Sequence, residues 1–203
     1  MKSNLQTIPG YNINEYMLVL SPHEELRNQI MQLKKEFFDV YKSSAAVWIK
    51  PAIPLITFMQ YAMMEDRILG RLKTLSKSYH PFKIELKDFG SLPAHTIYIN
   101  ITSREPIRKL ISEIKLFQQL MKTDNENKPY FSEEPHISIA RKLTPWEYEK
   151  AWPEYANKTF TGRFIADRML LLKRSIGEKS YQLVQELEFQ NLNINSSQGK
   201  LFS

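Results

Sequence analysis

The sequence predicts an α+β chain of two pseudo-symmetric βα lobes, with antiparallel sheets around a central cleft. Three observations lead there. Apolar residues switch repeatedly between the period of a strand and that of a helix. The two halves carry the same order of elements at nearly the same spacing: Tyr16 and Leu55 are 39 positions apart, His95 and His136 are 41. The 203 residues, 42% hydrophobic and 25% charged, have the length and composition of one folded unit with a sizeable core. Residues 1–203 are read as a single bilobal domain, with the polar stretch 191–203 as a frayed C-terminal tail.

The elements follow in order. Leu18, Val19 and Leu20 mark a strand over 16–20. Ser21-Pro22 opens a helix to about Tyr41, with Glu24 and Glu25 in the first turn, where the helix dipole favours negative charge. Leu26, Ile30, Leu33, Phe37 and Val40 recur every three or four residues and form its buried face. Pro51 and Pro54 punctuate the approach to a strand at 55–59, and a helix follows over 64–78 with Ile68, Leu72 and Leu75 on one face. Phe82, Ile84 and Leu86 alternate with Lys83, Glu85 and Lys87, the pattern of a half-buried strand. Gly90 to Pro93 turns the chain into a second strand, 95–101, so the pair forms a hairpin.

The second half repeats the plan. Ile107, Ile111, Ile114, Phe117 and Met121 line a helix over 105–121. A polar loop, 122–128, leads to a strand at 136–140. Thr144-Pro145-Trp146-Glu147 has capping-box spacing with proline at the first helical position, and this helix runs to about Tyr155. Strands at 164–173 and 181–189 close the chain, the latter with its alternation broken at Val184 and Gln185. In this repeat the strand at 55–59 corresponds to 136–140, and the strand at 16–20 to 95–101.

Composition removes several classes of function. With no cysteine there is no disulfide, thiolate zinc site, iron–sulfur ligation or cysteine nucleophile, and the chain fits a reducing compartment; a cytoplasmic location is expected. The longest uncharged stretches, 51–64 and 89–103, are interrupted by proline and polar residues and are too short to span a bilayer, so no membrane partner is expected. The net charge of +6 favours an anionic ligand over a cationic one. Six scattered glycines form no phosphate loop, no His/carboxylate cluster has metal-ligand spacing, and neither a metal nor a cofactor is expected.

The chemistry concentrates on one histidine. His23 sits at a helix start and His80 in a loop before Pro81, both read as surface residues. In His136-Ile137-Ser138-Ile139 the imidazole and hydroxyl share a strand face while the isoleucines enter the core. An imidazole passes protons near neutral pH, and a hydroxyl beside it can donate to a phosphate oxygen. The repeat places Leu55-Ile56-Thr57-Phe58 at the equivalent strand, with the hydroxyl of Thr57 in place and leucine where histidine would stand.

This pairing resembles the 2H phosphoesterase superfamily, which includes bacterial 2′-5′ RNA ligases and cyclic nucleotide phosphodiesterases and carries one His-x-(Ser/Thr)-x motif per lobe. The resemblance runs from Tyr16 to Phe189 and is most specific at Glu134-Pro135-His136-Ile137-Ser138-Ile139-Ala140-Arg141. It implies a bilobal α+β fold whose cleft takes an RNA or nucleotide phosphodiester. In such enzymes, hydrolase or ligase, two histidines act as general base and general acid while the hydroxyls hold the phosphate. Carried over, His136, Ser138 and Thr57 are the catalytic set, and Leu55 removes one half of the acid–base pair.

His95-Thr96 is not a third motif. The hydroxyl follows at the next position, so on a strand the two side chains face opposite ways. His95 is left as a cleft-rim residue or a substitute proton carrier. Arg141 and Lys142 are the phosphate-binding candidates, with Lys173 and Arg174 as a second pair; Tyr98 and Tyr130 serve core packing or stack a base. Two readings stay open: an enzyme of impaired activity, or a non-catalytic nucleotide- or RNA-binding protein that retains the fold. A phosphate-indifferent interaction module is a third.

Overall fold

The computed structural model describes residues 12–42, 50–124 and 126–192. In chain order the elements are β1 (Ile13–Leu20), α1 (Glu24–Tyr41), β2 (Ile53–Tyr61), α2 (Glu65–Ser78), β3 (Phe82–Leu92), β4 (Thr96–Ile101), α3 (Arg104–Lys115), β5 (Tyr130–Phe131), β6 (Ile137–Ala140), α4 (Pro145–Asn157), β7 (Thr161–Ala166), β8 (Arg168–Ser175) and β9 (Gln182–Glu188). They build two sheets, of order β5-β2-β1-β8-β9 and β6-β4-β3-β7, and every strand pair is antiparallel. In each sheet the strand that carries a hydroxyl motif, β2 or β6, lies against the strand that opens its half, β1 or β4. This is the α+β, two-sheet plan that the internal repeat predicts.

The halves exchange parts. The segment expected as one strand over 164–173 is two strands, because the chain crosses from the second sheet to the first at Asp167, whose carbonyl accepts from the Phe189 amide at 2.8 Å. The first sheet thus receives β5, β8 and β9 from the C-terminal half, and the second receives β3 from the N-terminal half. Helices follow the exchange: α2 packs on β9 and α3 on β2, whereas α1 packs on β6 and β7 and α4 on β3 and β4.

Local chemistry accounts for most boundaries. His23 caps α1, its Nδ1 accepting from the Leu26 amide at 3.2 Å. Thr144 and Glu147 form the expected capping box on α4. In β3, Ile84 and Leu86 are buried and Lys83, Glu85 and Lys87 exposed, until a bulge at Asp88 (φ 54°) reverses the alternation and buries Phe89. Here the structure differs from the sequence expectation: β3 continues to Leu92, and the turn is Pro93–His95, with Ala94 at φ 57°. The helix expected over 105–121 stops at Lys115 and re-forms as a 3-10 turn at Gln118–Met121. The two-residue β5 was not legible as a strand at all. The broken alternation at Val184 and Gln185 is a register shift against Leu171 and Leu172 of β8. Residues 190–192 hydrogen-bond to the end of α2 through Ser76, Tyr79 and Lys77; the rest of the expected tail lies outside the described residues.

One departure on α1 bears on the site. Val40, expected in the core, is 61% exposed, while Lys34 is only 3% exposed, between Ile30 and Phe37 on the buried face.

Candidate functional site

β6 is short and strictly divided. Ile137 and Ile139 are fully buried, and Ser138, opposite Tyr98 of β4, is half-buried on the other side. His136 immediately precedes the strand. Its Nδ1 lies 2.8 Å from the Glu134 carbonyl oxygen. A carbonyl only accepts, so Nδ1 carries the proton and donates, and Nε2 is left as the proton acceptor. The imidazole stacks on Tyr98, ring centroids 4.3 Å apart and tilted by 31°. Tyr98 in turn lies over Gly90, its partner across β3: a Cβ there would come within 2.7 and 2.8 Å of the tyrosine ring. Only glycine admits this approach, and the stack it permits fixes the imidazole plane. Burial lowers the His136 pKa below 6.5, and the Arg141 charge acts the same way, outweighing the Glu134 carbonyl, which raises it. The shift favours the neutral imidazole, the form a general base needs.

Across from β6, Thr57 pairs directly with Met17 of β1, and directly paired residues share a face. Met17 lines a cavity of about 360 Å³ between the two sheets, and Ser138 and Arg141 line it from the β6 side. Thr57 and Ser138 thus lie on the inner faces of the two sheets. Leu55 is the extra residue of a bulge, because Leu18 pairs with Ile56 while Val19 pairs with Pro54. It is fully buried in the hydrophobic core, and because the bulge breaks the alternation it is Pro54, paired with Val19, that lines the cavity beyond Thr57.

The cavity has a consistent chemistry. Met17, Val19, Leu170, Leu172 and Leu183 make an apolar floor. Ser21, Ser138, Ser180 and Tyr181 contribute hydroxyls. Arg27, Lys34, Lys50, Arg141 and Lys179 bring five cationic side chains, and no carboxylate is among the described residues that line it. None of the ion pairs among the described residues involves Arg27, Lys50, Arg141 or Lys179. Burial lowers the Arg141 pKa, opposed by Tyr181 and reinforced by Arg174, so an anion beside it would offset a cost already present.

The other candidates fall elsewhere. His95 is exposed at the far end of β4, in the turn before the strand; four positions from Ile99, the partner of Ile137, it stands about 13 Å along the strand from the His136 end. Its Nδ1 lies 2.5 Å from the Thr96 hydroxyl, so the two side chains meet instead of facing opposite ways. Lys142 is exposed at φ 55° and does not line the cavity. Lys173 is held by Glu65 at 2.8 Å, and Arg174 by Glu15 at 2.6 and 2.9 Å, a carboxylate that also accepts from the Tyr181 hydroxyl at 2.6 Å. Tyr130 is exposed at the edge of the first sheet. The sequence reading missed Arg27, Lys34, Lys50 and Lys179; only Lys34 left a signal, a charge interrupting the apolar face of a helix. Among the described residues no three His, Asp or Glu side chains are grouped so as to hold a metal ion, and no helix is long and apolar enough to cross a membrane.

Comparison with known proteins places this architecture. A Bacillus licheniformis protein carrying the provisional name phosphoesterase is 25% identical over 163 residues, covering 78% of this chain and 89% of its own. Escherichia coli LigT, solved with 3′-AMP, superposes with a TM-score of 0.62 at 13% identity, over 87% of this chain and 98% of that one. A Thermus thermophilus protein does so at 0.57 and 15%, with the same coverage. The model of the 2′-5′ RNA ligase superfamily matches residues 22–178, and with two antiparallel sheets facing across a basic cavity and a His-x-Ser strand at its edge, this chain belongs to that family.

Proposed function

We propose that the cleft binds an RNA-type phosphodiester or nucleotide phosphate at His136, Ser138, Arg141 and Thr57, and hydrolyses cyclic phosphodiesters slowly. One observation carries the reading: Ser138, within the strand that follows His136, and Arg141, just after it, open onto a cavity with five cations and no carboxylate among its described residues. That LigT holds 3′-AMP on a similar fold is in keeping with a nucleotide ligand.

The chemistry is asymmetric. Water attacking a 2′,3′-cyclic phosphate must lose a proton, and the ribose oxygen that leaves must gain one. Neutral His136 takes the first at Nε2, while Ser138 and Arg141 hold the phosphoryl oxygens. On the opposite strand Leu55 can supply nothing, so the leaving oxygen draws its proton from water. The same residue favours a second reading, ligand binding without turnover. Assays with 2′,3′-cyclic nucleotides and 2′-5′-linked dinucleotides, comparing wild type with His136→Ala, separate them. The expected result is slow hydrolysis in wild type that His136→Ala abolishes. Equal rates in both proteins, with nucleotide still bound, establish the second reading instead.

A further inference from the structure

The cavity is larger and more basic than one phosphate at the motif requires. His136 and Thr57 are not among its lining residues; Ser138 and Arg141 stand at its border. Beyond them lie Arg27 and Lys34, seven residues apart on one face of α1, and Lys50, just ahead of β2. Two turns of helix set these two α1 positions about 10 Å apart, and with Lys50 they bring three cations to the α1 side of the cavity. The floor beneath is apolar and suits a ribose face or a base.

Lys34 is the telling residue. It occupies a position on α1 where the period set by Leu26, Ile30 and Phe37 calls for an apolar side chain. Burial, with the Arg141 charge beside it, lowers its pKa to about 8, so at pH 7 it is still mostly charged and gains from an anion.

Resting on the function proposed above, we infer that the Arg27–Lys34–Lys50 side of the cavity is a second phosphate subsite, and that the ligand class is a nucleotide bearing a second, separate phosphate. One phosphate occupies the His136–Ser138 end, the sugar and base cross the apolar floor, and the other phosphate meets the α1 cations, with Arg141 between.

The test is calorimetric titration at pH 7 with 3′-AMP and with adenosine 3′,5′-bisphosphate, on wild type, Lys34→Met and Arg27→Gln. Wild type is expected to bind the bisphosphate ~10-fold or more tighter than the monophosphate, the scale of one or two added charge-assisted hydrogen bonds. Each substitution should reduce that advantage and leave 3′-AMP affinity unchanged. Thermal denaturation of Lys34→Met checks that the variant is folded; Arg27→Gln, on a half-buried residue, is the independent check. Equal affinity for the two nucleotides in wild type overturns the subsite and leaves the proposed function standing. An advantage that survives both substitutions places the second phosphate elsewhere and also overturns it. Failure of both nucleotides to bind overturns the subsite and the reading beneath it.

Discussion

Leu55→His should raise the rate of 2′,3′-cyclic nucleotide hydrolysis by about 10²–10⁴-fold, the usual contribution of one positioned acid–base group. The sequence repeat aligns Leu55 with His136, and it sits at the β2 bulge two residues before Thr57, so an imidazole there is expected to turn toward the cleft and protonate the leaving oxygen opposite His136. The gain should vanish in the Leu55→His, His136→Ala double variant, because two groups acting on one displacement behave as a unit. The substitution has a stability cost. Leu55 is fully buried, and exchanging an apolar side chain for a polar one at such a site costs about 1–3 kcal/mol. Thermal denaturation of the variant therefore accompanies the kinetics. A folded variant with an unchanged rate would show that position 55 is not the counterpart of His136.

Arg141→Met should weaken nucleoside 3′-monophosphate binding by about 10–100-fold, the range expected when a charge-assisted hydrogen bond to phosphate is lost. Methionine keeps the apolar stem that packs at this half-buried position, so the loss reports on charge. Lys142→Met is the matched control: it removes one positive charge at the next residue, which is exposed and off the cavity, and should leave affinity within twofold. Equal losses in both variants would mean that only the general positive field attracts the nucleotide.

The elements with strong local signals were legible in the sequence. The Phe82–Lys87 alternation, the Thr144 capping box and the repeat that pairs 55–59 with 136–140 each encode a local preference that packing reinforced. What sequence patterning could not carry was the partner of each element. Only the charged pair Asp167-Arg168, where the buried phase slips from Phe164 and Ala166 to Met169 and Leu171, marks the crossing between sheets, and the break between the strands is one residue long. In the same way, Arg174 and Lys173 looked like phosphate ligands until Glu15 and Glu65, more than 100 residues away in sequence, were found to hold them. Strand alternation put His136 and Ser138 on one face, but those four residues alone left that face solvent or cleft, and only the mirrored Thr57 strand of the repeat pointed to a cleft. Arg27 and Lys50 reach the same cavity through tertiary contact alone. Lys34 was passed over for Leu33, although a charge within an apolar helix face is itself a signal of a polar cavity.

The central claim is that His136 meets the phosphate of a nucleotide. An NMR pH titration of the histidine ring protons, with and without a nucleoside 3′-monophosphate, tests it most directly. Without ligand the His136 midpoint is expected below that of a free imidazole, because burial disfavours the imidazolium. The sign follows for stability as well: the unfolded chain binds this proton more readily, so the His136 contribution falls as pH drops below 6.5. Millimolar nucleotide should move the His136 signals and raise their midpoint, since a phosphate dianion stabilises the charged ring, while the remote, exposed His95 should not respond. Unchanged His136 signals at millimolar nucleotide would contradict the account.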